Sequence, residues 1–173
     1  AGGGLELKAF AEAEPGWRFD GVDPAPEMLK LAKTTLGSLA SRVRLHEGYV
    51  DVAPQGPFDA GACLLTLHFV PAGERLRTLL EVHRRLKPDA PFVMAHLSFP
   101  QGAERERWLS RYAAFAVSSG IEPARAESGR AAIAAQLPIL SPEEDERLLV
   151  EAGFSNVSLF YAGLAFRGWV ACA

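Results

Sequence analysis

Residues 1–23 read AGGGLELKAFAEAEPGWRFDGVD, and the order of features in this stretch predicts the fold. A glycine turn comes first, the amphipathic run Leu5–Ala13 predicts a helix, and residues 17–22 predict a strand that ends on Asp23. Glycines let the backbone approach a ligand closely, and an acid about 20 positions later accepts hydrogen bonds from ribose hydroxyls. The stretch therefore predicts a nucleoside cofactor held by the turn and Asp23. Asp23 has a second interpretation, as the N-cap of the following helix.

The glycine turn requires a buried strand before it, and no residue precedes Ala1 in this sequence to supply one. We therefore expect residues 1–173 to form a single domain that is incomplete at its N-terminus, with a strand and a cap missing. The length of 173 residues and the hydrophobic content of 49% are sufficient for one packed core.

Beyond Asp23, short apolar runs alternate with amphipathic helical segments, which predicts a doubly wound α/β fold with a mostly parallel sheet. The run at 60–67 is almost continuously apolar and should form a central strand. The last two strands, at 157–161 and about 166–173, are close enough in sequence to pair antiparallel, so we expect a reversed C-terminal edge strand. Ser141, Pro142 and Glu144 predict a capped helix start.

The regular alternation lapses at about 100–140, where an Arg-, Glu- and Ala-rich segment predicts two helices. We expect this insertion to lie over the active site and to carry specificity. Trp108, Tyr112 and Phe115 form one helical stripe in it, which is either core packing or a substrate wall.

Charge and cysteine content limit the partners and the location. The net charge of −3 argues against a nucleic-acid partner. No apolar stretch reaches the ~18 residues of a membrane span. Cys63 and Cys172 lack metal-ligand spacing, so no metal is expected and a reducing cytoplasm is the expected location.

The glycine turn does not fit the dinucleotide fingerprint G-x-G-x-x-G, because Leu7 stands where the third glycine is required. With a glycine before Ala1, the turn resembles motif I of the class I S-adenosylmethionine (SAM) dependent methyltransferases. Further landmarks of that family follow in the same order: Gly-Val-Asp-Pro-Ala-Pro-Glu-Met-Leu at 21–29, Phe58-Asp59, Leu86-Lys87-Pro88, and Glu-Ala-Gly-Phe at 151–154.

The resemblance implies an enzyme that transfers a methyl group from SAM to a small-molecule acceptor, with S-adenosylhomocysteine as the product. It places these residues at the cofactor: Gly2, Gly4, Asp23, Pro24, Met28, Tyr49, Val50, Leu64, Leu65 and His68. It places Tyr112, Phe115, Arg130 and His96 at the substrate. His68 follows the fourth strand of the family's sheet and is also the candidate general base, because imidazole titrates near neutrality.

A narrower resemblance links 112–141 and 159–168 to the carboxy-SAM synthases that act in tRNA wobble-uridine modification. In that family, an arginine at the position of Arg130 contacts the ligand carboxylate and comes from the neighbouring subunit. The resemblance thus implies a homodimer formed through the insertion. Two alternatives to methyl transfer stay open: a carboxy-SAM synthase-like reaction, and a SAM-binding domain without catalysis.

Overall fold

The computed structural model describes residues 2–173 of the chain. They divide into two compact units, which meet in sequence between Pro57 and Phe58. The two units are described separately. None of the helices within residues 2–173 combines the length and the apolar character needed to cross a bilayer.

The first unit is built from two helices and a parallel pair of strands. Its elements are α1 (Leu5–Ala13), β1 (Phe19–Asp23), α2 (Pro26–Leu36) and β2 (Val43–Glu47), with short 3₁₀ turns at Gly37–Arg42 and Val50–Val52. The strands pair in parallel register from Phe19 opposite Val43 to Asp23 opposite Glu47. This is the strand–helix–strand order that the sequence predicts.

Close packing between α1 and α2 explains the last glycine of the turn. Gly4 has a φ of 82° and precedes the first residue of α1. A Cβ placed on Gly4 would lie 2.8 Å from the Cα of Ala32 in α2, which is too close for any side chain. The position therefore requires glycine for its conformation and for the space that it leaves.

The second unit has four strands and four helices. In chain order they are β3 (Gly61–Leu64), α3 (Ala72–His83), β4 (Pro91–Leu97), α4 (Arg105–Ser118), α5 (Pro123–Gln136), α6 (Pro142–Glu151), β5 (Ser155–Gly163) and β6 (Phe166–Cys172). The sheet has the order β3-β4-β6-β5, with β3 parallel to β4 and β6 antiparallel to both of its neighbours.

The reversed strand does not occupy the predicted place at the sheet edge. It is β6, which lies between β4 and β5, so that β5 is the edge strand. The reason is burial: Trp169 and Ala171 of β6 are fully buried, whereas residues 158–162 of β5 are exposed. The more apolar strand of the hairpin thus takes the interior position.

The predicted central strand at 60–67 is shorter than expected and differs in position. It ends at Leu64 because Leu65 has a φ of 56°, which extended backbone cannot continue. A 3₁₀ turn, Leu67–Phe69, follows it. In the part of the chain that the structure describes, β3 pairs with β4 alone and lies at an edge of its sheet.

The main core of the second unit packs α3 and α6 against the sheet. The rings of Phe92 and Phe154 stack with centroids 4.9 Å apart, and Trp169 and Leu149 are completely buried beside them. A smaller core under α4 and α5 contains Leu97, Phe99, Leu109, Ile139 and Ala165. The predicted start of α6 is confirmed, because Ser141 and Glu144 form a reciprocal capping box.

Candidate functional site

Asp23 and the glycine turn meet in the first unit, although 21 positions separate them. The backbone N–H of Gly2 donates to Oδ2 of Asp23 at 2.9 Å, and the N–H of Ala25 donates to Oδ1 at 2.9 Å. Asp23 is the last residue of β1, and it is buried. The carboxylate therefore lies at the carboxyl end of a parallel strand, where open α/β sheets bind ligands.

The alternative interpretation of Asp23 as a helix N-cap is wrong. The N-cap of α2 is Ala25, and no side chain caps this end of the helix. Asp23 accepts instead from the amide two residues further on, which is an Asx turn that leads into the helix.

The residues around Asp23 fit the ribose of a nucleoside. A carboxylate can accept hydrogen bonds from ribose hydroxyls as well as from backbone amides such as those of Gly2 and Ala25. The space beside Gly2 is open, because a Cβ built there would meet no atom within 4 Å. Glycine amides and a buried carboxylate beside open space form the kind of surface that holds a nucleoside.

The other predicted cofactor residues of this unit surround the ends of β1 and β2. The N–H of Gly48 donates to the carbonyl oxygen of Asp23 at 3.1 Å, which fixes the segment that carries Tyr49 and Val50. Tyr49 is 63% exposed and Val50 is half-buried. Pro24 and Met28 are exposed at the start of α2. These four side chains all follow the carboxyl end of β1 or β2 in sequence.

His68 lies in the second unit, in the 3₁₀ turn after β3, and it is 5% exposed. Its Nδ1 accepts a hydrogen bond from the backbone N–H of Leu97, at 3.4 Å. Burial, the largest cause, acts with the nearby His96 and Arg75 to lower the pKa of His68 to about 4, and Asp145 acts in the opposite direction. The ring is therefore neutral at neutral pH. The other predicted residues of this segment differ in exposure: Leu64 is half-buried, and Leu65 is exposed.

A buried ionic cluster next to His68 was not predicted from the sequence. Arg75 of α3, His96 of β4 and Asp145 of α6 are all completely buried. The Nε2 of His96 lies 3.1 Å from Oδ2 of Asp145, and a guanidinium nitrogen of Arg75 lies 3.7 Å from Oδ1. Arg75 also donates to the carbonyl oxygens of Val70, at 3.1 Å, and Pro138.

A sequence signal for this cluster existed in the helical pattern. Asp145 shares its helix face with Leu148, Leu149 and Ala152, at spacings of three, four and seven residues. A charge on an otherwise apolar face predicts a buried ion pair. The sequence alone does not identify the partners, because they lie on α3 and β4.

His96 is not positioned as predicted. We expected it to face the substrate, but it is fully buried between Asp145 and the ring of Trp169, whose centroid is 5.7 Å away. The side chain lies on the same face of β4 as the buried Phe92 and Met94. It therefore belongs to the buried cluster and not to a substrate wall.

The insertion divides its predicted substrate residues between core and surface. Tyr112 packs against Phe166, with ring centroids 6.3 Å apart, whereas Phe115 is 54% exposed. Arg130 hydrogen-bonds to Glu127 and, at 2.9 Å, to Glu106 of α4. The bonds to Glu127 raise the pKa of Arg130. In this conformation the guanidinium is therefore bound by two carboxylates of its own chain.

The chain is similar in sequence to two carboxy-SAM synthases. The carboxy-SAM synthase of Chromohalobacter salexigens is 28% identical over 157 residues, which cover 87% of this chain and 57% of the relative. The corresponding enzyme of Wolinella succinogenes is 23% identical over 168 residues, covering 96% of this chain and 70% of the relative.

Two solved methyltransferases have the same fold. An O-methyltransferase family 2 protein from Planctomyces limnophilus, in complex with apigenin, superposes with a TM-score of 0.66 at 20% identity, over 99% of this chain and 47% of its own. Human N-acetylserotonin methyltransferase, in complex with SAM, superposes with a TM-score of 0.64 at 20% identity, over 99% of this chain and 45% of its own. The chain thus spans about half the length of these proteins.

The family assignment rests on more than half of the chain. Residues 1–92 match the family model described as a methyltransferase domain, and they include the glycine turn, Asp23 and His68. The chain belongs to this family of methyltransferase domains.

Proposed function

We propose that the chain binds SAM and transfers its methyl group to a small-molecule acceptor, with S-adenosylhomocysteine as the product. The observation that carries the proposal is the hydrogen bond between Gly2 and Asp23, which joins the glycine turn to a buried carboxylate at the end of β1. Family membership supports it, and so do solved proteins of the same fold in complex with SAM or S-adenosylhomocysteine.

In this proposal each predicted site residue of the first unit has a binding role. Asp23 accepts hydrogen bonds from the ribose, and the amides of the turn, with Gly2 and Gly4, approach the cofactor closely. Tyr49 and Val50 enclose the adenine, with Pro24 and Met28 completing the contact. Leu64, Leu65 and His68 of the second unit stay as predicted cofactor contacts on the strength of the family resemblance.

SAM supplies a methyl group activated by the adjacent sulfonium. The chain's residues then have to bind and orient the two reactants, and orientation alone provides a large part of such a rate enhancement. The acceptor is proposed to be a small organic molecule, and the Planctomyces protein is in complex with such a molecule, apigenin. Tyr112 and Phe115 are the proposed acceptor contacts. The net charge of −3 argues against nucleic acid as the acceptor.

Calorimetry with three ligands tests the proposal. We expect SAM and S-adenosylhomocysteine to bind with micromolar dissociation constants, about −8 kcal/mol, and NAD not to compete. A screen of cell extracts for a methylated product then distinguishes an enzyme from a SAM-binding domain without catalysis. Tight NAD binding with no response to SAM would reject the proposal.

A second candidate is a carboxy-SAM synthase-like reaction, which the relative at 28% identity favours. Arg130 is the residue that would hold the ligand carboxylate in that case. A ligand would first have to displace Glu106 or Glu127 from its guanidinium, and for this reason methyl transfer ranks above it.

The methyl-transfer and synthase hypotheses predict different ligand preferences. If the synthase hypothesis is correct, wild type prefers carboxy-SAM to SAM, and Arg130→Ala abolishes that preference. We expect instead no preference in either protein. Arg125→Ala, an exposed position on the same helix, is the matched control, since no role in the site is proposed for it.

We also propose a cytoplasmic homodimer formed through the insertion. Cys172 is a free thiol, which is compatible with a reducing compartment. The mass of the species in solution, measured by light scattering, tests the dimer, and a monomer at all concentrations would reject it.

A further inference from the structure

We propose that His68 acts as a neutral hydrogen-bond donor to a bound ligand, through Nε2–H, and not as a general base. This inference rests on the proposed function and deepens it. The sequence makes His68 a candidate both for a cofactor contact and for a general base, and the inference chooses between these roles. Its ligand partner is an oxygen atom with a free lone pair, such as a carbonyl or carboxylate oxygen.

The backbone of β4 sets the tautomer of His68. The N–H of Leu97 is always a donor, so the Nδ1 that it contacts must offer a lone pair. A neutral imidazole carries a single N–H. Because Nδ1 is the acceptor, the hydrogen of His68 is on Nε2.

The neighbours of His68 keep the ring in this neutral form. His96 of β4 has its ring centroid 6.2 Å away, and Arg75 of α3 places a guanidinium nitrogen 3.5 Å from the carbonyl oxygen of His68. Both lower the pKa of His68, and burial lowers it most; Asp145 of α6 acts in the opposite direction. Protonation of Nδ1 would also set two donors against each other at Leu97.

Nε2 is the nitrogen that a ligand can reach. Both ring nitrogens of His96 are completely buried and have no hydrogen-bond partner among residues 2–173. Nε2 of His68 is not buried in this way. The exposed 5% of His68 therefore includes this edge of its ring. The ring of Phe69 contacts that of His68, with centroids 4.3 Å apart and the planes tilted by 43°.

A general base needs a nitrogen with a lone pair directed at the substrate. Neither nitrogen of His68 meets this condition, because Nδ1 is engaged by Leu97 and Nε2 carries the hydrogen. A donor at the carboxyl end of a parallel strand is instead suited to orient a ligand oxygen.

The first test measures the tautomer without any ligand. Nitrogen-15 NMR of the protein at pH 7 separates the protonated from the unprotonated ring nitrogen, and we expect His68 to be neutral with the hydrogen on Nε2. A hydrogen on Nδ1, or a charged ring at pH 7, would overturn the inference. This measurement does not depend on methyl transfer.

The second test compares two amides at position 68. The side chain of His68→Gln places an N–H₂ donor near the position of Nε2, whereas His68→Asn is shorter and provides a group near Nδ1 only. We expect His68→Gln to retain ligand binding within about threefold and His68→Asn to lose about tenfold, the size of one hydrogen bond.

The ligand that responds identifies the source of the oxygen. A tenfold loss in SAM affinity assigns it to the cofactor, and an unchanged SAM affinity with a raised KM for the acceptor assigns it to the acceptor. Equal loss of turnover in both variants, with binding unchanged, would restore the general base. If wild type binds no SAM at all, the proposed function fails together with the ligand partner of His68, and the NMR result then decides the tautomer alone.

Discussion

Asp23 is held between two backbone amides, one from the glycine turn and one from the start of α2. This arrangement does more than provide an acceptor, because it makes the position of the turn depend on the carboxylate. Loss of Asp23 would therefore weaken the binding of a ribose-containing ligand in two ways. It would remove the hydrogen bonds from the ribose, and it would release the glycine turn that binds the ligand through backbone atoms.

For this reason, Asp23→Ala should weaken SAM binding by about 1.5–3 kcal/mol, the range for hydrogen bonds to a charged group. Calorimetry on wild type and variant measures the difference. Asp20→Ala is the matched control: it removes a carboxylate from the same strand, where Asp20 pairs with His46 at 2.8 Å, and should leave SAM affinity unchanged. Equal affinities for wild type and Asp23→Ala would show that the acid has only a structural role.

At the scale of elements, the contact between α1 and α2 fixes where the glycine turn ends. A substitution at Gly4 acts on both the backbone and the packing, since the φ of 82° is unfavourable for other residues and Ala32 occupies the space. Gly4→Ala should destabilise the first unit by at least about 1–2 kcal/mol, from the left-handed conformation alone.

Denaturant unfolding measures this effect, and Gly16→Ala provides the comparison. Gly16 lies in the same unit, and a Cβ there would meet no atom within 4 Å. We expect Gly16→Ala to change the free energy of unfolding by less than about 1 kcal/mol. Similar losses for the two variants would contradict the packing argument.

The elements also show where sequence reasoning succeeds and where it stops. The glycine turn, the acid at the end of β1 and the capping box of α6 depend on residues close together or on a known spacing, so their patterns identify them. The place of β6 and the partners of Asp145 depend on which distant surfaces are buried together, and one sequence does not contain that information. Leu65 ends β3 because its φ is 56°. Leucine rarely adopts a positive φ, so the sequence gives no reason to expect a strand end at this position.

Over the whole chain, the proposed roles are distributed between the two units. Residues 1–57 carry the turn, Asp23 and the adenine contacts, whereas residues 58–173 carry His68 and the insertion. The second unit also contains the completely buried side chains of Arg75, His96 and Asp145. Each of them has at least one buried polar atom without a hydrogen-bond partner among the described residues. Buried ionic groups of this kind are costly to the fold, and their cost depends on the protonation of the groups beside them.

The stability of the second unit should therefore fall in acid, and part of the loss should be traceable to His68. Its pKa of about 4 lies below the ordinary value of 6.5, so the unfolded chain binds the proton more readily than the folded chain does. The stabilising contribution is complete above pH 6.5 and disappears as the pH falls to about 4, with a total of about 3 kcal/mol. Trp169, buried in this unit, reports unfolding by fluorescence. His68→Gln has no titrating group, so its free energy of unfolding should fall less than that of wild type across this interval. Parallel curves for the two proteins would show that His68 titrates alike in the folded and unfolded chains.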